Sequence, residues 1–341
     1  MKKICLCFLI ILSCTSFLHA GDTLEIYVID TEGGKAVLIV TTAGESMLID
    51  AGFPGNNGRD AIRIEEAAKA AGIKQFDYLV VTHYDLDHVN NVPATVARVP
   101  AVTFVDHGPA AVANPFTTTA VKAYEEVIAK AKHLVVKAGD RIPLKGVDAL
   151  VVTSAGHAIK APVEGGGAPN PFCESSPPIT WKTANEDESE NAQSVGLLLT
   201  FGRFRMLDLA DLTWNKELAL MCPNNPIGSV DLFMVSHHGN DISNSPALVR
   251  ALKPRVAIMN NGAQKVGALP VLQLIRSSTG LEALYQLHWS VRGGTEGNAP
   301  DEFIANLQDS PDGKWIKVSA LNDGTFTVTS ARTGAARRFL P

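Results

Sequence analysis

Cysteine is scarce in this chain. There are five in 341 residues, and three of them, Cys5, Cys7 and Cys14, fall within the first twenty. No Cys-x-x-Cys pair occurs, which excludes a thiolate zinc knuckle. Positive charge is not in excess either: 30 Lys and Arg stand against 35 Asp and Glu, a formal net charge of −5. Residues 1–20 carry Lys2 and Lys3 and no acid, so without them the balance falls to −7. Broad, sequence-independent duplex binding needs many phosphate-neutralising cations, so nucleic acid is left only a local basic groove. The longest N-terminal apolar run, Ile4 to Leu12, is too short to span a bilayer. No segment repeats at a fixed period.

What is present argues for a globular protein. Apolar residues make up 46% and charged residues 19%, enough for a sizeable core. Lys2 and Lys3, the run Ile4–Leu12 and the ending Leu18-His19-Ala20 follow the order of a secretory signal, with cleavage after Ala20. Ile11-Leu12-Ser13-Cys14 offers an alternative, an imperfect lipobox that would anchor the product through Cys14. Either route exports the chain to the periplasm or beyond. Cys173 and Cys222 then remain. In an oxidising compartment they form one disulfide; the alternative is two buried thiols.

The pattern predicts short strands over Leu24–Asp30, Ala36–Thr41 and Met47–Asp50, a helix over Arg59–Ala71, and a buried strand over Tyr78–Thr82. Further strands are expected over 102–105, 134–136, 147–153, 195–200, 205–209, 230–235, 256–259 and 283–287. Helices are expected over 92–97, 120–131, 214–220, 246–252 and 269–277, and a closing hairpin over 314–320 and 325–330. Strands precede strand–helix alternation in both halves. That order predicts an α+β fold, a four-layer αββα sandwich, formed by one domain over residues 21–341 after a signal peptide at 1–20. Residues 155–193 break the rhythm with Gly165-Gly166-Gly167, several prolines and the acidic run Glu186–Glu190. A loop of this length reads as a lid.

Four predicted strand ends collect ionisable groups. Asp50 ends one; His83-Tyr84-Asp85-Leu86-Asp87-His88 follows another; Asp211 follows a third; Ser236-His237-His238-Gly239 follows a fourth. Imidazole and ionised carboxylate are the nitrogen and oxygen ligands of hydrolytic metal sites. A lone His or Asp at a strand end is ordinarily a cap or a solvated group, but four such ends together point to a metal centre.

These motifs resemble those of the metallo-β-lactamase fold superfamily, whose loop reads His-x-His-x-Asp-His. Leu48-Ile49-Asp50-Ala51-Gly52 matches the family's first Asp, which supports that loop. Within the superfamily the chain looks most like the hydrolase-like domain of bacterial competence DNA-uptake proteins. The shared features are an Asp at the second His position, Asn191-x-x-Ser194 before a strand, and the His-His-Gly ending. The resemblance covers roughly residues 24–290. It implies one metal on His83 and Asp85, a second on Asp87, His88 and His238, and Asp211 bridging both. His237 is the alternative to His238, otherwise orienting a ligand through a hydrogen bond. The family's third-motif His has no clear match; His157 is the nearest candidate, and the alternative for it is an exposed loop.

The implied cofactor is one or two divalent ions, Zn²⁺ or Mn²⁺, the oxygen-rich first position weighing toward Mn²⁺. Asp87 or Asp85 would accept a proton from the attacking water, and His288 would donate one to the leaving group. His107 and Asn260 are further candidates for the pocket. Three functions compete. The first is an exported metal-dependent hydrolase acting on a phosphodiester, in nucleic acid or a phosphorylated envelope component. The second is a hydrolase of a lactam, lactone or ester. The third is a metal-binding module without activity. Asp85 and the unmatched His argue against a β-lactamase.

Overall fold

A computed structural model describes residues 22–111, 115–176, 187–307 and 313–341. The expected signal peptide, 1–20, and part of the expected lid, 177–186, lie outside them. Two nine-stranded sheets form the centre of the molecule. The path through the first runs Ala336–Phe339, Phe326–Ser330, Ile316–Ala320, Leu24–Val28, Val37–Val40, Ser46–Ile49, Phe76–Val80, Ala101–Asp106 and Lys132–Val135. The path through the second runs Ile304–Asn306, Ala283–His288, Val256–Met259, Leu232–Met234, Phe204–Asp208, Gly196–Phe201, Asp148–Ser154 and Arg141–Ile142. The short strand His157–Ala158 pairs with Asp148–Ser154 off that path.

Side-chain alternation decides the layering. In Ile316–Ala320 every second residue is buried, as expected for a strand with one face inward. Ile26, Ile39, Met47 and Val318 of the first sheet share one apolar cluster with Leu197, Met206, Leu232 and Ile258 of the second, so the sheets pack face to face. A second cluster sets Leu207, Phe233 and Ala257 against Leu220, Leu248 and Leu272 of the helices Trp214–Met221, Pro246–Leu252 and Leu269–Arg276. A third sets Leu38, Leu48 and Leu79 against Ile64 and Tyr124 of Arg59–Ala70 and Pro115–Ile128. Helix, sheet, sheet, helix is the expected αββα sandwich, one domain.

Most predicted elements occur where the pattern put them. The helix expected over 120–131 begins at Pro115 and ends at Ile128. Two strands of more than two residues were not legible, and neither were the two-residue strands Arg141–Ile142, His157–Ala158, Ala168–Pro169 and Asn224–Asn225. Ile304–Asn306 has only three residues, and Ala336–Phe339 carries two arginines on an edge. Within the expected lid, Ala168–Pro169 pairs with Asn224–Asn225, and Cys173 is bonded to Cys222 with their Cα atoms 5.9 Å apart. The Asn170 side-chain Nδ2 donates to the Met221 and Ala247 carbonyls. These contacts anchor 168–173 beside the helices of the second sheet. No helix among the described residues is long and apolar enough to cross a membrane.

Candidate metal centre

The parallel strands of each sheet deliver the site. Ser46–Ile49 and Phe76–Val80 run side by side in the first sheet, followed by Asp50 and by His83 to His88; Phe204–Asp208 and Leu232–Met234 do so in the second, followed by Asp211 and by His237 and His238. The backbone is strained where these ends turn. Asp50, Ala210, His237 and His238 all have positive φ, between 51° and 60°. Non-glycine residues rarely hold that conformation, and it costs of order 1–3 kcal/mol unless the surroundings over-determine it. Glycine is needed close by: a Cβ on Gly34 would meet the Asp87 carbonyl at 2.8 Å, and one on Gly239 the Met259 sulfur at 2.7 Å.

Ligand atoms of Asp87, His88, Asp211 and His238 all lie within 4.8 Å of one another. His88 Nε2 is 3.3 Å from His238 Nε2 and 3.3 Å from Asp211 Oδ2. His238 Nε2 is 3.2 Å from Asp87 Oδ2 and 3.3 Å from Asp211 Oδ2. His237 reaches only the edge of this group, with Nε2 3.5 Å from Asp211 and Nδ1 3.1 Å from the Ser243 hydroxyl. The geometry therefore joins His238, rather than His237, to the cluster.

Hydrogen bonds on the far side of each ring orient it. Asp50 accepts from the Thr82 amide at 2.8 Å and from the Thr82 hydroxyl at 2.7 Å. It also accepts from His88 Nδ1 at 2.8 Å, so the ring in its neutral form faces the cluster with an Nε2 lone pair. Because the Thr82 hydroxyl donates to Asp50, its oxygen accepts from His83 Nδ1, 3.1 Å away. His83 Nε2 is then also a lone pair, buried without a hydrogen-bond partner, with Asp85 Oδ2 3.7 Å away. His238 Nδ1 faces the Asn260 carbonyl at 3.2 Å and the Asn260 side-chain nitrogen at 3.1 Å, leaving its Nε2 inward. Three imidazoles thus turn Nε2, a nitrogen that can ligate a metal, away from their orienting hydrogen bonds.

The electrostatics agree. Burial alone would raise the Asp87 carboxyl; the charge of His88, the hydrogen bond from His238 and the Lys265 ammonium outweigh it and hold the group well below the usual range. Burial opposes ionisation of Asp211 too, and His238, His88 and His237 reverse it in the same way. Burial would lower His88, but Asp211, Asp50 and Asp87 raise it well above an ordinary imidazole. The carboxylates are thus held ionised, and protons on the imidazoles supply the balancing charge. A divalent cation replaces such protons, so the donor set fits a metal. Asp85, with a side chain 38% exposed, and Asp87, at 14%, mark the open side.

Residues 29–159 match the metallo-beta-lactamase superfamily model. That superfamily match takes in Asp50, His83, Asp85, Asp87 and His88, while Asp211 and His238 are brought in from beyond it by the second sheet. No curated protein matches the chain. Among solved structures, a Cronobacter sakazakii metallo-beta-lactamase with a HARLDQ motif is 15% identical over 55% of this chain, with a TM-score of 0.33. This chain spans 60% of that enzyme's length. CmlA, a diiron beta-hydroxylase from Streptomyces venezuelae, is 14% identical over 77% of this chain and 47% of its own, with a TM-score of 0.39. A diphosphatase from the PhnP family is 13% identical over 88% of this chain and 98% of its own, with a TM-score of 0.40. At these identities none of them speaks for a substrate here.

Other expected residues lie apart from the cluster. His157 is exposed and lines a groove of about 1610 Å³ along the second sheet with His107, and no residue of the metal cluster lines it. His107 faces Glu190 at 3.3 Å, and Glu190 in turn accepts from the Tyr84 amide. His288 is buried with Nε2 2.8 Å from Asp30 and 3.6 Å from Glu32.

Sequence reasoning missed five supports, Lys35, Asp208, Glu217, Asn244 and Lys265. Lys35 forms a buried ion pair with Asp208, while its amide donates to the Asp87 carbonyl at 3.1 Å. Asp208 also accepts from the Ala210 amide, so this pair ties three loops of the site together. Glu217 accepts from the Asn244 and Ser245 amides, and the Asn244 side chain brackets Ser236 at the start of the two-histidine turn. Lys265 touches Asp87. A lysine opening an apolar strand, at Gly34-Lys35-Ala36, was the one signal available.

Proposed function

We propose that this chain is an exported metal-dependent hydrolase that cleaves a phosphodiester with an activated water. The observation that carries it is the buried meeting of Asp87, His88, Asp211 and His238, with both imidazoles turned Nε2-inward by Asp50 and Asn260. When bound, a divalent ion supplies a Lewis acid and lowers the pKa of a water on it from about 15.7 toward roughly 7–9. Asp87, His88, Asp211 and His238 would hold one ion; His83 and Asp85 would serve a second beside it. Asp85 is the most exposed of these carboxylates, which suits it to take the proton of the attacking water.

Three carboxylates against three imidazoles weigh toward Mn²⁺ as well as Zn²⁺. The motif likeness to competence DNA-uptake proteins supports a phosphodiester over a lactam. The Cys173–Cys222 bond supports an oxidising compartment, and so export by way of residues 1–20. The test is hydrolysis of a fluorogenic bis-phosphodiester with Mn²⁺ or Zn²⁺, beside a chromogenic cephalosporin. Turnover of the first alone is expected. Turnover of the cephalosporin alone, or metal uptake without turnover of either, would replace this reading.

A further inference from the structure

Lys265 stands at the open side of the cluster, and no catalytic role in the preceding section uses it. Its ammonium rests on Asp87 Oδ2, the same oxygen that lies 3.2 Å from His238 Nε2. It also lies 4.7 Å from the centre of the Phe53 ring, and its side chain is 39% exposed. The backbone behind it is fixed. Gly262 donates to the Lys265 carbonyl at 3.1 Å, and Gly33 packs so closely that a Cβ there would sit 2.9 Å from that of Lys265. The side chain is therefore presented from a rigid turn, with Phe53 and Asp87 as its two rests.

One carboxylate oxygen cannot fully serve both an ammonium and a divalent ion. An ammonium displaced from Asp87 keeps the face of Phe53, whose ring attracts a cation, and so stays at the mouth of the site. There it is a point charge suited to an oxyanion.

We propose that Lys265 is the anion anchor of this site: it neutralises Asp87 in the metal-free protein and binds a phosphoryl oxygen of the substrate in the loaded one. This rests on the phosphodiesterase reading for the identity of the anion, but its test does not need turnover.

The experiment compares wild type with Lys265→Met, which keeps the stem against Gly33 and removes the charge, and with Lys265→Arg. Calorimetric titration of metal-free protein with Zn²⁺ should show tighter uptake in Lys265→Met, by roughly tenfold, because a like charge beside the ion is gone. Titration of metal-loaded protein with orthophosphate should show binding weakened at least about tenfold in Lys265→Met and retained in Lys265→Arg. The proposal is overturned if Zn²⁺ uptake fails to tighten. It is equally overturned if orthophosphate binds Lys265→Met as it binds wild type, or if both variants lose it alike. Failure of this proposal and failure of the function reading are separable. Phosphodiester turnover with unchanged orthophosphate binding in Lys265→Met sinks the anchor alone. Orthophosphate binding through Lys265 without diester turnover sinks the activity alone.

Discussion

Two groups in this molecule have nearly the same composition and opposite character. Asp87, His88, Asp211 and His238 form one; Asp30, Glu32 and His288 form the other. In both, ligand atoms lie within 4.8 Å of one another. The difference is the supply of positive charge. Arg63 places its guanidinium 3.0 Å from Asp30 and 3.3 Å from Glu32, a permanent cation buried with the acids. Arginine does not give up its proton in proteins, so that group is neutralised for good. At the other group the cations are imidazolium protons and one half-exposed lysine, all of which can leave. The contrast is between charge held by partners that a divalent ion can replace and charge held by a built-in arginine.

The largest expected effect breaks the comparison at its first member. Asp87→Ala should abolish metal retention at the cluster and lower phosphodiester turnover by about a thousandfold or more, the several kcal/mol a metal contributes. Elemental analysis after gel filtration, with the diester assay, is the check. A variant that keeps both its metal and its turnover would mean that Asp87 is not a ligand.

Arg63→Met tests the second member. Removing one partner of a buried pair typically costs 3–5 kcal/mol, so a fall of about that size in unfolding free energy is expected by denaturant titration. The comparison also predicts a gain. With its built-in cation gone, the Asp30 group should respond to divalent metal, so millimolar Mn²⁺ should raise the midpoint of Arg63→Met more than that of wild type. Equal responses would show that composition and not charge supply decides.

These contrasts explain what could and could not be read from the sequence. The strand-end motifs were legible because an apolar run followed by His or Asp fixes where the side chains emerge, whatever packs around them. The sandwich followed from the order of strands and helices. The roles of Lys35, Lys265 and Glu217 were not legible, because each is defined by a partner distant in sequence, 173 residues away for Lys35 and 178 for Lys265. His288 shows the limit most plainly. Its position at a strand end suggested a proton donor near the metal. The strand delivers it to Asp30, beside a cation supplied by a helix of the other sheet, and no local pattern carries that information.

Glu217 gives a smaller effect that sharpens the account of the two-histidine turn. Burial raises its carboxyl from 4.5 to about 7, although the Ser245 and Asn244 amides donate to it and pull the other way. A raised carboxyl means that ionisation is costlier in the folded protein than in the unfolded chain. Its contribution is therefore fully present below about pH 4.5 and lost as pH rises toward about 7, by up to roughly 3 kcal/mol. Glu217→Gln cannot ionise. It should start less stable, since its amide presents N–H where an acceptor is needed, and the gap to wild type should narrow across that window. Thermal unfolding of both proteins at pH 4.5, 6 and 7.5 measures it. A constant gap would mean that Glu217 is ionised throughout and that its hydrogen bonds outweigh its burial.

The smallest expected effect returns to the Asp30 group. Glu32 is 21% exposed and 3.3 Å from Arg63, whereas Asp30 is fully buried and also holds His288. Water already screens the Glu32 carboxylate, so Glu32→Gln should cost no more than about 1 kcal/mol, the range of exposed ion pairs. Arg63 would keep Asp30 as its partner, and metal content should stay at the wild-type value. Glu32→Gln is thus the quiet counterpart of Asp87→Ala, one carboxylate removed from each group with opposite consequences. If Glu32→Gln lowered metal content instead, the Asp30 group would be holding an ion alongside Arg63, and the distinction drawn between removable and built-in charge would fail.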